Sequence, residues 1–157
     1  MAGSLEWVLL AYRLPREPST VRVAVWRKLR RLGVAQVLDG LVALPLDART
    51  REQFDWLAEE VLGAGGEASV WTARLSSRAQ ERALAARMAD AVREDYGAIL
   101  IEAQAAVALE PGEQRRVVGR LRRELQRVGQ RDFFPPKERD RAVRSVRALA
   151  VRAEVDA

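Results

Sequence analysis

Val34-Ala35-Gln36-Val37-Leu38-Asp39-Gly40-Leu41-Val42-Ala43-Leu44-Pro45-Leu46 decides how the first half of the chain folds. Two short apolar runs, 34–38 and 41–46, meet at Asp39-Gly40. Asp-Gly between strand-like runs predicts a two-residue hairpin, in a turn that asks both central residues for positive φ. Upstream, Trp7-Val8-Leu9-Leu10-Ala11-Tyr12 reads as a strand that Pro15 stops. Between that strand and the hairpin, Val21, Val25, Leu29 and Leu32 recur at helical spacing, and Gly33 supplies a stop. Ser19 or Thr20 is the expected cap of this helix. Downstream, Thr50 is read as the start of a second helix, with Gln53 as its capping-box partner. Phe54, Leu57, Val61 and Leu62 are its expected buried stripe, and Gly63, Gly65 and Gly66 end it. Residues 68–75 form the fourth strand, with Val70 and Trp71 on opposite faces. The order β-α-β-β-α-β predicts an α+β fold, with a ferredoxin-like domain over residues 5–75.

The first strand is apolar on both faces: Val8, Leu10 and Tyr12 alternate with Trp7, Leu9 and Ala11. If helices cover one face, the other also needs a cover, from the C-terminal helices or from a second subunit. Residues 76–157 are expected to be a three-helix extension packed on the first domain as one structural unit. One long helix spans 77–109, with Gly97 as a candidate kink. A second runs from about 113 to 130 after Pro111-Gly112. The apolar corner Phe133-Phe134-Pro135-Pro136 leads to a third, with Pro136 as its first helical residue.

The 157 residues include no Cys and no His. Disulfides, Cys/His zinc sites, thiolate nucleophiles and imidazole bases are therefore excluded. The acids do not converge: Asp39 has a turn role, Asp47 reads as a loop acid, and Glu59-Glu60 are neighbours on a helix. A protein without enzymatic activity, cofactor or metal is the expectation. No apolar run approaches the roughly 18 residues of a membrane span. The start, Met1-Ala2-Gly3-Ser4-Leu5-Glu6, carries no basic and apolar leader pattern, so a cytoplasmic protein is expected.

The formal charge is +5, and only Lys28 and Lys137 among the 27 basic residues are lysines. Residues 112–147 hold 12 basic and five acidic groups. Arg120 and Arg123 there are candidate phosphate contacts, the alternative being a solvated helical hairpin with its own ion pairs. In the first helix, Arg22, Trp26 and Arg30 fall at i, i+4 and i+8, flanked by Arg27 and Arg31. A Trp among arginines stacks on a base or an aromatic partner while the guanidinium groups reach phosphates. The alternative is that the C-terminal helices cover Trp26. Arg16, Ser19 and Thr20 surround the helix start and suit an oxyanion, opposed by Glu17, unless Ser19 simply caps the helix.

The segments Trp7-Val8-Leu9-Leu10-Ala11-Tyr12-Arg13-Leu14-Pro15-Arg16-Glu17-Pro18-Ser19 and Arg22-Val23-Ala24-Val25-Trp26-Arg27-Lys28-Leu29 resemble the N-terminal domain of the ChrB chromate-resistance regulators. Leu44-Pro45, residues 50–57, Gly65-Gly66-Glu67-Ala68 and Arg131-Asp132-Phe133-Phe134 agree with it. The resemblance implies a DNA-binding regulator of a chromate-efflux operon, released from its operator by chromate or a similar oxyanion; together with the Arg22/Trp26/Arg30 face and the positive 112–147 segment, it leads to the expectation of a homodimer on double-stranded operator DNA. It also implies a relation to PaaX-type repressors and to small CRISPR-associated nucleases. Full-length members carry a C-terminal domain not found in this sequence, so the resemblance leaves two further readings: an interaction module pairing with a separate sensor domain, and a metal-dependent nuclease.

Overall fold

A computed structural model describes residues 4–156; Met1, Ala2, Gly3 and Ala157, which begin and end the segments read above, lie outside it. The order is β1 (Trp7–Arg13), α1 (Ser19–Leu32), β2 (Ala35–Leu38), β3 (Leu41–Pro45), α2 (Ala48–Gly63), β4 (Glu67–Ala73), α3 (Arg78–Ala105), α4 (Pro111–Gln130) and α5 (Lys137–Val155). A short 3-10 turn, Ala106–Ala108, follows α3. The fold is thus α+β, with five helices and one four-stranded antiparallel sheet in the order β2-β3-β1-β4. The chain divides into two compact units, residues 1–87 and 88–157, and α3 contributes to both.

The first unit is built on β1, which pairs with β3 on one side and β4 on the other. Register aligns Val8 with Leu44 and Leu10 with Val42, and all four are buried on one face. Helix α2 packs against β1 and β4, and Val25, Leu29, Phe54, Leu57 and Val61 supply the helical side of the core. An ion pair of 2.7 Å from Lys28 to Glu60 ties α1 to α2. On the other face Trp7, Ala35 and Ala43 are also buried, while Trp71 is 60% exposed. The start of α3 is held to this sheet: Arg87 Nη2 donates to the Gln36 carbonyl at 2.6 Å, and Glu81 accepts from the Leu5 amide.

Several local expectations need correction. The Asp39-Gly40 turn forms, but only Gly40 has positive φ (76°), and no non-glycine residue described does. The register shifts between Gln36 and Leu38, a bulge at Val37 that takes up the twist such a turn leaves unmatched. Helix α1 is not capped by Ser19 or Thr20. They lie inside its first turn, Pro18 is the N-cap residue, and no side chain caps it. Helix α2 begins before Thr50. Asp47, which reads from sequence as a loop acid, is its cap: Thr50 N donates to Asp47 Oδ1 at 2.7 Å and Asp47 N to Thr50 Oγ1 at 2.9 Å. Thr50 therefore takes the partner's place in the box that Gln53 was expected to fill. Leu62 is 54% exposed and leaves the stripe, because helical geometry points it away from Phe54 and Val61. Pro136 caps α5 rather than opening it. Gly33 does end α1, at φ 77°.

In the second unit the remainder of α3 packs Val92, Tyr96, Ile99 and Ala103 against Leu121 and Val128 of α4 and Ala142 and Val146 of α5. Ala106, Val118 and Leu149 extend this core. The helix runs through Gly97 without interruption. Each buried Leu, Ile or Val contributes about 1.5–3 kcal/mol, against about 0–1 for an exposed ion pair. The apolar stripes, not the many charges, hold this unit together.

Candidate nucleic-acid interface

Helix α1 displays its basic stripe as the spacing requires. Val25 and Leu29 are buried, so Arg22, Trp26, Arg27, Arg30 and Arg31 project to solvent. Trp26 is 50% exposed. The Arg30 guanidinium lies 4.8 Å from the centre of the Trp26 ring, a cation–π contact that fixes both side chains. Among the described residues, none of Arg16, Arg22, Arg27, Arg30 and Arg31 has an acidic group within 4.0 Å. Arg16, Ser19 and Thr20 are all exposed beside an uncapped helix start, so the amides of the first turn face solvent.

The neighbouring helix carries the opposite charge. Thr50, Phe54, Leu57, Ala58 and Val61 are the buried side of α2. Glu52, Asp55, Trp56 and Glu59, at i, i+3, i+4 and i+7, therefore share its solvent side. Among the described residues none of the three acids is paired, and Trp56 is 64% exposed. A sequence search for acids that converge on a point passes over this stripe. The usable signal is an acidic helix face around a Trp.

Arg120 and Arg123 sit on α4 in the second unit. Arg120 is engaged: its guanidinium pairs with Glu102 of α3, which holds its pKa further above the usual arginine value. Arg127 pairs with Glu124 at 2.7 Å, and Arg131 with Asp95 at 2.9 Å. Arg115 donates to the Ala153 carbonyl. Arg123 is exposed with no acidic partner among the described residues. So are Arg116 and Arg122 on α4 and Arg139, Arg141, Arg144 and Arg147 on α5. Within this segment some arginines thus close ion pairs, and others present guanidinium groups to solvent without an acidic partner among the described residues. Among the described residues no three acidic groups come together in a way that would hold a metal ion. No described helix is long and apolar enough to cross a membrane.

The fold and this surface define a small α+β protein whose helical unit is rich in solvent-facing arginine. It belongs to the family described as Protein ChrB, N-terminal, which matches residues 22–156. The chain is similar to Protein ChrB of Cupriavidus metallidurans strain CH34, with 29% identity over 143 residues. That match covers 87% of this chain and 43% of the relative, so the chain spans less than half of the relative's length.

Proposed function

We propose that this protein is a DNA-binding regulator in a chromate-resistance system, and that its double-stranded DNA contacts are made by the second unit. The observation that carries this reading is the set of exposed arginines on α4 and α5 with no acidic partner among the described residues, Arg116, Arg122, Arg123, Arg139, Arg141, Arg144 and Arg147, in a segment with seven more basic than acidic groups. Guanidinium groups with no acidic partner are free to replace the counterions of a phosphate backbone. Arg120, bound to Glu102, contributes less than Arg123. The basic stripe of α1 is a poorer DNA ligand, because phosphates nearing it also meet Glu52, Asp55 and Glu59 on the adjacent helix. Family membership supports the regulatory and chromate-related parts of the reading. We also read the first unit as a ferredoxin-like domain. Support comes from the β-α-β-β-α-β order and from strands that run β4-β1-β3-β2 across the sheet.

Fluorescence anisotropy with labelled duplex from upstream of the protein's own operon tests this. Binding is expected at micromolar protein or below, with log affinity falling linearly against log salt. Replacing Arg116, Arg123, Arg144 and Arg147 by Gln is expected to flatten that slope by about 0.9 for each phosphate that is no longer neutralised. Chromate added to the complex tests release. Absence of salt-sensitive binding, or a quadruple variant that binds as the parent does, overturns the assignment.

A further inference from the structure

The two outward helix faces of the first unit match each other. On α1 the solvent side reads Val23, Trp26, Arg27, Arg30, and on α2 it reads Glu52, Asp55, Trp56, Glu59, each at i, i+3, i+4 and i+7. The helices are neighbours, joined by Lys28 and Glu60. One stripe is cationic and the other anionic, and neither neutralises its charges elsewhere in the described residues. Each has an exposed Trp within it, and Val23 on α1 is 44% exposed. Trp and Arg are the residues that most often anchor protein interfaces.

We propose that this helical layer binds a second copy of the same chain, with α1 of each copy laid on α2 of the other. A two-fold axis parallel to the helices does this, and it uses each stripe once per copy, as an isologous interface requires. Arg27 and Arg30 of one copy then meet Glu52 and Glu59 of the other, and the two Trp side chains of each copy bury against its partner. Arg30 already holds the Trp26 ring, so part of the ordering cost is met before docking. A nucleic acid fits the layer badly, because half of it is acidic. A partner of uniform charge fits it badly for the same reason. A surface carrying both signs side by side is matched by its own copy. Placing the interface on α1 and α2 goes beyond the expectation of a homodimer and does not depend on the DNA reading.

Charge exchange on the full chain tests it by sedimentation velocity. One variant carries Arg27→Glu and Arg30→Glu, which makes both stripes acidic. The other carries Glu52→Arg and Glu59→Arg, which makes both basic. All four positions are exposed, and circular dichroism checks that both variants fold. The parent is expected to dimerise at tens of micromolar, and each variant to dimerise at least about tenfold more weakly through like-charge repulsion. Mixing the two variants is expected to restore dimers, since each stripe of one again meets an opposite stripe of the other. A monomeric parent overturns the proposal. So do variants that dimerise as the parent does, or a mixture that stays monomeric. Loss of DNA binding in the acidic variant without any change in its association would assign α1 to DNA instead, and also overturns it. Failure of the DNA assay alone leaves sedimentation unaffected, so the two readings fail separately.

Discussion

At Gly40 one missing methyl group decides whether the hairpin meets the central strand. A Cβ there would lie 2.5 Å from the Tyr12 carbonyl oxygen, and the residue sits at φ 76°. The Gly40 carbonyl also accepts from Tyr12 N at 2.8 Å, so the turn cannot retreat without breaking a hydrogen bond. Gly40→Ala is expected to cost about 1–3 kcal/mol, read as a lower urea midpoint at unchanged slope. Tyr96 is the corresponding residue of the second unit. It is buried, and its hydroxyl donates to Asp132 Oδ2 at 2.8 Å. Burial, and then the bond to Asp132, hold its phenol above the ordinary value of 10.0. The folded chain therefore keeps a proton that the unfolded chain releases. This contribution to stability is complete below pH 10.0 and declines as pH rises beyond it. Tyr96→Phe is expected to cost about 1.5 kcal/mol at neutral pH and to make the alkaline decline shallower. Tyr12, raised by burial and by Asp39, keeps the decline from vanishing. Equal alkaline slopes in chemical denaturation would contradict the assignment to Tyr96.

At the scale of the element, the two helices of the first unit start differently. Helix α2 is fixed by reciprocal bonds between Asp47 and Thr50, and Thr50 Oγ1 also donates to the Pro45 carbonyl at 2.7 Å, locking the helix to the end of β3. Asp47→Ala is expected to lower stability by about 1 kcal/mol, measured by thermal or urea unfolding. Helix α1 has no such cap. The hydroxyl residues Ser19 and Thr20 match the commoner capping pattern, which is why the sequence points to them. Pro18 ahead of them already fits the extended backbone of an N-cap, at φ −74° and ψ 149°. For α2, a hydroxyl three residues before Gln53 completes the familiar box, so the sequence points to Thr50. Asp47-x-x-Thr50 satisfies the same donors one turn earlier.

Across the whole molecule, charge is divided by role. The second unit carries exposed arginines with no acidic partner among the described residues, while the first sets a cationic helix beside an anionic one. The anisotropy and sedimentation experiments read these surfaces independently. If both hold, the α1 and α2 variants weaken DNA binding only by disrupting the dimer, whereas the arginine variants of α4 and α5 weaken it in monomer and dimer alike.

The order of elements and the buried stripes of most helices are legible in the sequence. Period-2 and period-3.6 patterns and the glycine stops are local properties, and they place Val8, Leu10, Val25, Leu29, Phe54 and Val61 in the core, where all six are buried. The sequence also displayed the α1 stripe. Which arginines meet an acid follows from packing between helices, not from local pattern. Whether Arg120 meets Glu102 while Arg123 meets no acid depends on how α3 and α4 pack, a matter of distances between residues far apart in the chain. Packing also placed the acidic face of α2 beside the basic face of α1. Sequence periodicity gives the face of each helix, but not its neighbour.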